Sequence, residues 1–446
     1  MKNDPQKIAV IGGGVAGIVS AYLLSRKFDV TLIEAADYVW GHTNTITIEE
    51  GPDAGTPVDT GFIVLNTPNY PNFREFLRQL NVPTRQSEMS FSFYCRDTNL
   101  AYSSHVPNGL FAQRRNLLRP SFLAMIRDIL RFNRQVLQEL EAGQLQQLTL
   151  GDYLHREGYT APFIEHHLKP AAAAIWSTPP EEVLAFPIES FVHFFNNHGL
   201  LQLYNRPQWS TVVGGSHSYV KAFLKQFSGT VLKSAPVIGV QRHAAGVEVT
   251  FKDQTKRQFD KVVIATHADQ ALRLLRDPSP DEQALLGVWD YHQNDTILHT
   301  DTTVMSPNRR VWASWNYVRH ERIQNDQPVT MTYYMNRLQG LKTANHYFVT
   351  LNNPTPIPEQ HIIKRIQYTH PNYTFDSMAS QTKLPSLNGQ QNTYFCGSYF
   401  GYGFHEDAVK SAVAVGKALG VELRQDVSDV SQSSPIVGTA LTVPSQ

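Results

Sequence analysis

Gly12, Gly14 and Gly17, followed by Glu34, have the types and spacing of a dinucleotide-binding turn. The first glycine permits a tight turn, the second lets backbone approach a pyrophosphate, and the third allows a helix to pack closely on a strand. The N-terminus of that helix supplies unsatisfied N–H groups and a partial positive charge, which favour phosphate. Glu34 lies about 20 residues on, where a carboxylate accepts from a ribose hydroxyl. An acid at this place repels a 2′-phosphate, which argues against NADP.

A glycine pattern alone is weak, and the elements around it decide its meaning. Residues 8–11 are an apolar run that reads as a buried parallel strand. An apolar-periodic helix is expected over 18–24 and a second strand over 30–33, ending on Glu34. Together they make a complete βαβ unit opening a domain.

Composition bounds the rest. At 446 residues the chain is too long for one ordinary core and suggests two domains. Lysine plus arginine equals aspartate plus glutamate, 39 against 39, and no basic face implies nucleic acid. The two cysteines, Cys95 and Cys396, rule out a disulfide framework and point to a reducing, cytoplasmic setting. No apolar leader precedes Lys7 and no run of 18 apolar residues exists, so neither a secretory signal nor a membrane span is expected.

Further along, a strand entering from the loop Trp40-Gly41-His42-Thr43-Asn44 is expected over 45–48. Gly61, within Val58-Asp59-Thr60-Gly61-Phe62, marks a place where backbone could approach a flat ligand. Residues 70–80 read as a helix, 84–94 as a strand and 100–107 as its pairing partner. From 109 to 143 the pattern is helical and basic, with Arg114, Arg115, Arg119, Arg127, Arg131 and Arg134 among apolar residues. Such a region either rests on an anionic membrane surface or forms the solvated outer face of a domain. Helices are expected over 149–157, 161–174, 188–197 and 219–225. A three-stranded meander is expected from 237–242, 246–251 and 261–265, feeding back to the main sheet. The tail from 425 has little to pack and reads as disordered.

A second anchor lies near the end. Residues 393–397 form a short strand ending on Gly397, and 398–404 a loop rich in glycine and aromatics. Asp407 can cap a helix over 408–419, so a second helix N-terminus sits at a strand end.

With these pieces in place the chain to about Val421 resembles the FAD-dependent amine oxidase and phytoene desaturase superfamily. Within it the likeness is to bacterial NAD/FAD-binding oxidoreductases associated with fatty acyl modification. The residues behind this are the βαβ unit, 58–66, Ala174-Ile175-Trp176-Ser177, Trp315-Asn316-Tyr317, Asn336-Arg337-Leu338-Gln339-Gly340-Leu341 and 395–407. The resemblance implies an α/β fold: a Rossmann-like FAD-binding domain of the GR2 type interleaved with an α+β substrate domain. The FAD-binding parts are expected at 1–66, 206–285 and 376–424. The substrate parts are expected at 67–205, largely helical, and 286–375, strand-rich.

By the same resemblance Gly12, Gly14, Val15, Ala16 and Gly17 hold the FAD pyrophosphate, and Glu34 and Ala35 meet the adenosine ribose. Val237 meets adenine through its backbone. Gly61 and Phe62 lie against the isoalloxazine ring, and Gly397, Glu406, Asp407 and Ala408 meet the ribityl chain and the flavin C2 carbonyl. Trp40-Gly41-His42 stands where the superfamily often has Gly-Gly-Arg, and a histidine grips phosphate less strongly or stays neutral; Gly41, His42 and Thr43 are the cofactor-binding residues expected in this loop. The implied chemistry is hydride removal from a C–H bond to flavin N5, with oxygen or another acceptor completing turnover.

Only one dinucleotide fingerprint is present, so a built-in NAD(P)H site is not expected, and no Cys-x-x-Cys supports disulfide chemistry. No metal site is indicated. Tyr402, His405 and Glu406 are the acid/base candidates, with Lys383 and His370 behind them. His405 and Glu406 could equally serve as helix caps. Tyr399, Phe400, Tyr402 and Trp315 could build an aromatic cage for an amine or simply line an apolar pocket. The favoured substrate is a lipid or fatty acyl chain, desaturated or isomerised. The alternatives are a flavin amine oxidase and a non-redox scaffold that keeps FAD as structure.

Overall fold

The computed structural model describes residues 5–176, 182–202, 207–320 and 330–423. Its first layer is a five-stranded parallel sheet. The strands run Thr230–Leu232, β2 (Asp29–Ile33), β1 (Lys7–Ile11), Lys261–Ile264, Thr393–Phe395. Every residue of β1 after Lys7 is buried, and alternate side chains enter different cores. Ile8 and Val10 pack with α1 (Val15–Leu24) and the helix His405–Ala418. Ala9 and Ile11 pack with Val240, Val247 and Val249 on the other side. A sheet covered on both faces needs apolar residues at every position, which is why this run reads as continuous. Each fully buried valine or isoleucine contributes roughly 1.5–3 kcal/mol.

The meander is built from other residues than expected. Val237–His243, Gly246–Phe251 and Lys256–Phe259 pair antiparallel, while Lys261–Ile264 joins the parallel sheet beside β1. Lys256–Phe259 is polar and exposed on most positions, so apolar content does not mark it as a strand. The chain switches sheets at Asp260, whose N–H donates to the carbonyl of Lys7.

The stretch 84–94 is likewise two strands. Thr84–Ser87 pairs with Trp209–Val212, whereas Phe91–Cys95 pairs with Leu100–Ser103 and Trp315–Arg319. The latter belong to a seven-stranded sheet running from Ile362–Pro371 to Leu100–Ser103. Phe93, Tyr102 and Tyr317 of that sheet share one core with Phe122, Phe132, Phe163 and Phe191 of the intervening helices. Those helices are α3 (Pro120–Glu141), Leu150–Arg156, a helical stretch from Ala161 to Trp176 with a π-turn at Ile164–Leu168, and Ile188–Asn197.

α2 (Pro71–Gln79) follows the expected boundary at 66, yet Phe73, Phe76 and Leu77 pack into the core of β1 and α1. Ser177 and the tail from 425 lie outside the described residues, as does the side chain of Trp176.

Candidate functional site

The carboxyl ends of the parallel strands open into one cleft of about 1280 Å³ that runs on between the two sheets. Its floor is the turn after β1. Gly12 adopts φ +108, a conformation only glycine takes without strain, and a Cβ on Gly17 would lie 1.8 Å from the carbonyl oxygen of Gly12. Glycine at 17 therefore seats α1 on β1. Gly14 differs: a Cβ there meets nothing within 4 Å, because the residue faces the cleft. Gly14 also caps α1 without any side-chain hydrogen bond, which leaves the first-turn N–H groups unclaimed beside that space.

Glu34 closes the turn. Its Oε2 accepts from Gly13 N at 2.6 Å and its Oε1 from Ala36 N at 2.8 Å. Ala35, Ala235 and Val237 line the cleft beside it. Gly41 comes within Cβ reach of Gly14, and a Cβ on Gly61 would lie 2.1 Å from the carbonyl of His42. These glycines draw two loops together over the turn.

His42 lies on Tyr368 with ring centres 4.9 Å apart, and His370 and His267 are 5.6 and 6.1 Å away. Burial, reinforced by the His370, His267 and His405 rings, holds it well below the usual imidazole range. It is a neutral group, and its Nε2 is buried with no hydrogen-bond partner while the ring lines the cleft. An unclaimed buried nitrogen, a row of free N–H groups and an open glycine in one wall fit an elongated dinucleotide such as FAD. His42 then contributes a dipole rather than a full charge. Thr43 does not reach the cleft; its hydroxyl meets Tyr219 Oη at 2.5 Å in the core.

The second helix N-terminus lies across the cleft. Gly397 lines it, held by Gly397 N donating to Ser411 Oγ at 2.9 Å. Asp407 is not the cap of its helix but the third residue of a helix that begins at His405. Its Oδ2 accepts from Tyr402 N and Phe404 N, both at 3.0 Å, and so shapes the aromatic loop. Glu406 also turns away: its carboxylate accepts from Asn72 N, Asn72 Nδ2 and Phe73 N at 2.7–3.0 Å. Burial raises Glu406 to about 7 and Asp407 to about 6. Neither lines the cleft, whereas Ala408 does.

His405 touches the cleft but is locked into the core. It stacks on Phe62 at 3.8 Å, and its Nε2 lies 2.9 Å from Tyr219 Oη. Burial lowers it to about 3, so it stays neutral. Of the three acid/base candidates, Tyr402 presents its side chain to the cleft without such a lock. His370 lines the cleft as a neutral ring near 4, again through burial, and Lys383 is exposed at the surface, outside the cavity wall. Tyr399 and Trp315 line the cleft with Tyr402, and Phe400 does not.

The cleft continues past this point into a chamber walled by Tyr102, Ile126, Ile129, Ala171, Phe194, Phe195, Trp209, Trp315 and Tyr333. Of these, Trp315 is the one that the sequence marks as a pocket residue. In the helix Ile188–Asn197, Phe191, Phe194 and Phe195 recur at the spacing of one helical face, a signal that marks burial without telling a core from a cavity wall. Asp59 carries no such signal in the sequence, yet it supports the site. It is buried, and its oxygens accept from Thr45 Oγ1, Ser216 N, Ser216 Oγ and Gln339 Nε2, which anchors the loop bearing Gly61 and Phe62.

Comparison with known proteins agrees with this geometry. A family model described as flavin containing amine oxidoreductase matches residues 15–333. An L-amino-acid oxidase of Demansia vestigiata is 25% identical over 356 residues, covering 75% of this chain and 64% of that protein. An L-amino-acid oxidase of Mus musculus is 24% identical over 373 residues, covering 76% of this chain and 53% of that protein. The chain thus spans less than two thirds of either relative. Among solved structures, a putrescine oxidase bound to putrescine superposes with TM-score 0.65 at 13% identity, covering 93% of this chain and 98% of that one. A CLA-producing fatty acid isomerase from P. acnes superposes with TM-score 0.62 at 16% identity, covering 94% of this chain and all of the other. These likenesses establish the fold.

Proposed function

This chain belongs to the flavin-containing amine oxidoreductase family, and on that premise we propose that it is an FAD-dependent oxidoreductase acting on a C–H bond of an apolar, lipid or fatty acyl substrate. The reaction is a desaturation or an isomerisation. Desaturation calls for oxygen or another terminal acceptor, whereas isomerisation returns the hydride and calls for none.

The observation behind the substrate class is the chamber. Among the described residues, the Asp, Glu, Lys and Arg side chains lining the whole cavity are Glu34, Glu88 and Arg273. Glu34 takes two backbone N–H groups, Glu88 pairs with His105 and Arg337, and Arg273 pairs with Asp269. An amino acid's carboxylate or a polyamine's ammonium would enter without a free counter-charge, at a cost of several kcal/mol. An acyl chain gains from the same walls, about 0.8 kcal/mol per methylene buried.

When bound, the flavin supplies the hydride acceptor. The chain's own work is positioning. The uncapped N–H groups at Gly14 to Ala16 take the pyrophosphate, Glu34 takes the ribose, and Gly61, Phe62, Gly397 and Ala408 leave room for a flat ring. The aromatic chamber aligns the reacting carbon and excludes water. Tyr402 holds its proton, since burial raises its phenol further, and so serves as a donor rather than a base.

An amine reading draws on Tyr399, Tyr402 and Trp315, which line the cleft and offer faces to a neutral amine. One experiment separates the readings: an absorbance spectrum of the purified protein, followed anaerobically by unsaturated fatty acyl lipids and then amines. Flavin bands bleached by a lipid support the proposal, and bleaching by amines alone moves the reading to an amine oxidase. Bound flavin that no substrate reduces, with no double bond introduced or moved in the lipid, points to a non-redox scaffold. Absence of flavin after incubation with FAD overturns the cofactor reading.

A further inference from the structure

We propose that the surface built by residues 106–134 docks on an anionic lipid bilayer, so that the cleft opens onto the membrane between Val106 and Leu130. This rests on the reading of an acyl substrate and names where that substrate comes from.

Exposed apolar side chains are concentrated here. Nine large hydrophobic residues are exposed among the described residues, and five of them are Val106, Leu117, Leu118, Leu123 and Leu130. Leu118 is 86% exposed and Val106 72%. Leu123, Arg127, Leu130 and Arg134 follow one another at spacings of four, three and four along α3, which places them on one face, and all four are exposed. That face alternates apolar tips with guanidinium groups, the composition of an interfacial helix.

Charge selects the partner. Residues 106–134 contain six arginines and a single acid, Asp128. Asp128 is buried; it accepts from Thr160 N and Oγ1, and only Arg127 approaches it from the face. A helix that merely faced water would be expected to interleave acids with its arginines. Two copies of this face would repel one another, while anionic headgroups would match it.

The patch and the site are continuous. Val106 and Leu130 are exposed on the patch and also line the cleft, with Leu110, Ile126 and Ile129 leading inward to the chamber. A lipid moving along this path keeps its chain out of water, where each methylene exposed would lower its transfer about fourfold.

The test uses the full-length, flavin-loaded protein and flotation with vesicles of phosphatidylcholine, alone or mixed with phosphatidylglycerol. The protein should float with the mixed vesicles and not with phosphatidylcholine alone, and high salt should release it. Arg114→Gln with Arg134→Gln should weaken binding, at roughly fivefold per arginine. Leu118→Ser with Leu123→Ser should also weaken it while leaving the flavin spectrum and thermal melt unchanged. Equal flotation with both vesicle types, binding unaffected by these variants, or a stable dimer dispersed by the leucine variant would each overturn the proposal. Flavin reduction by detergent-dispersed acyl lipid is the separate readout. If it survives while flotation fails, the docking face is wrong and the substrate reading stands.

Discussion

The carboxylate of Glu406 accepts the backbone N–H of Phe73 at 2.9 Å, so a residue beside the cleft serves as the cap of α2. Asn72 adds two more donors to the same group. Removing it leaves buried N–H groups without partners, at a cost of about 1–3 kcal/mol. Glu406→Ala should therefore lower the melting temperature and weaken flavin retention, with the pH profile of flavin reduction keeping its shape. Tyr402→Phe should do the reverse, slowing reduction in a protein of unchanged stability. Stopped-flow reduction and melting curves on the two variants check this; a pH limb lost in Glu406→Ala would restore Glu406 as an acid/base group.

The two glycines flanking the start of α1 separate folding from cofactor binding. Gly14→Ala adds a methyl into open cleft at a backbone angle alanine accepts, so stability should change by less than about 1 kcal/mol. FAD affinity should fall at least tenfold, read by flavin fluorescence. Gly17→Ala drives a methyl onto the carbonyl of Gly12 and should destabilise the fold by about 2 kcal/mol or more. Equal stability loss in both variants would remove Gly14 from the site.

Asp59 and Gln339 join across 280 residues, with Asp59 N donating to Oε1 and Nε2 donating back to Oδ2. Burial outweighs the donated hydrogen bonds and raises the Asp59 carboxyl to about 6. A carboxyl whose folded pKa exceeds its unfolded value of about 3.9 favours the native state while protonated. Its contribution is full below about pH 4 and is lost as pH rises to about 6. Asp59→Asn cannot titrate, so its stability relative to the wild type should improve by about 2–3 kcal/mol between those limits. Urea midpoints at pH 4, 5, 6 and 7 measure it, and a flat difference would show that Asp59 is not buried as described.

The buried histidines act in the opposite sense. Burial lowers His42, His370 and His405, the last two to about 4 and 3. A histidine with a depressed folded pKa contributes stability in full above about 6.5, and loses it as pH falls toward the folded value. The melting temperature should thus drop steeply from pH 6.5 to 4. His370→Gln preserves an acceptor for Asn294 Nδ2 and should reduce that slope by up to one proton. Linkage slopes from melts across this range decide it.

What the sequence determines by itself here is local and periodic. The run 8–11, the glycines and Glu34 identify the nucleotide turn because its geometry is closed within about 30 residues. The helix over 188–197 is legible for the same reason, its apolar residues repeating with the helical turn. Where the signal depended on a distant partner, reading failed. Lys256–Phe259 is polar and only its pairing with Gly246–Phe251 makes it a strand, and 84–94 reads as one strand because Trp209–Val212 and Trp315–Arg319, which draw its halves into different sheets, lie beyond residue 200. Glu406, His405 and Asp59 show the same limit at the site. Their residue types suggest proton transfer, but tertiary structure decides that Glu406 caps α2, His405 stacks on Phe62 and Asp59 ties down the Gly61 loop. Periodicity encodes which face of an element is buried. Which side chain stands opposite, and so whether a carboxylate is a cap or a catalyst, is settled only when segments hundreds of residues apart pack together.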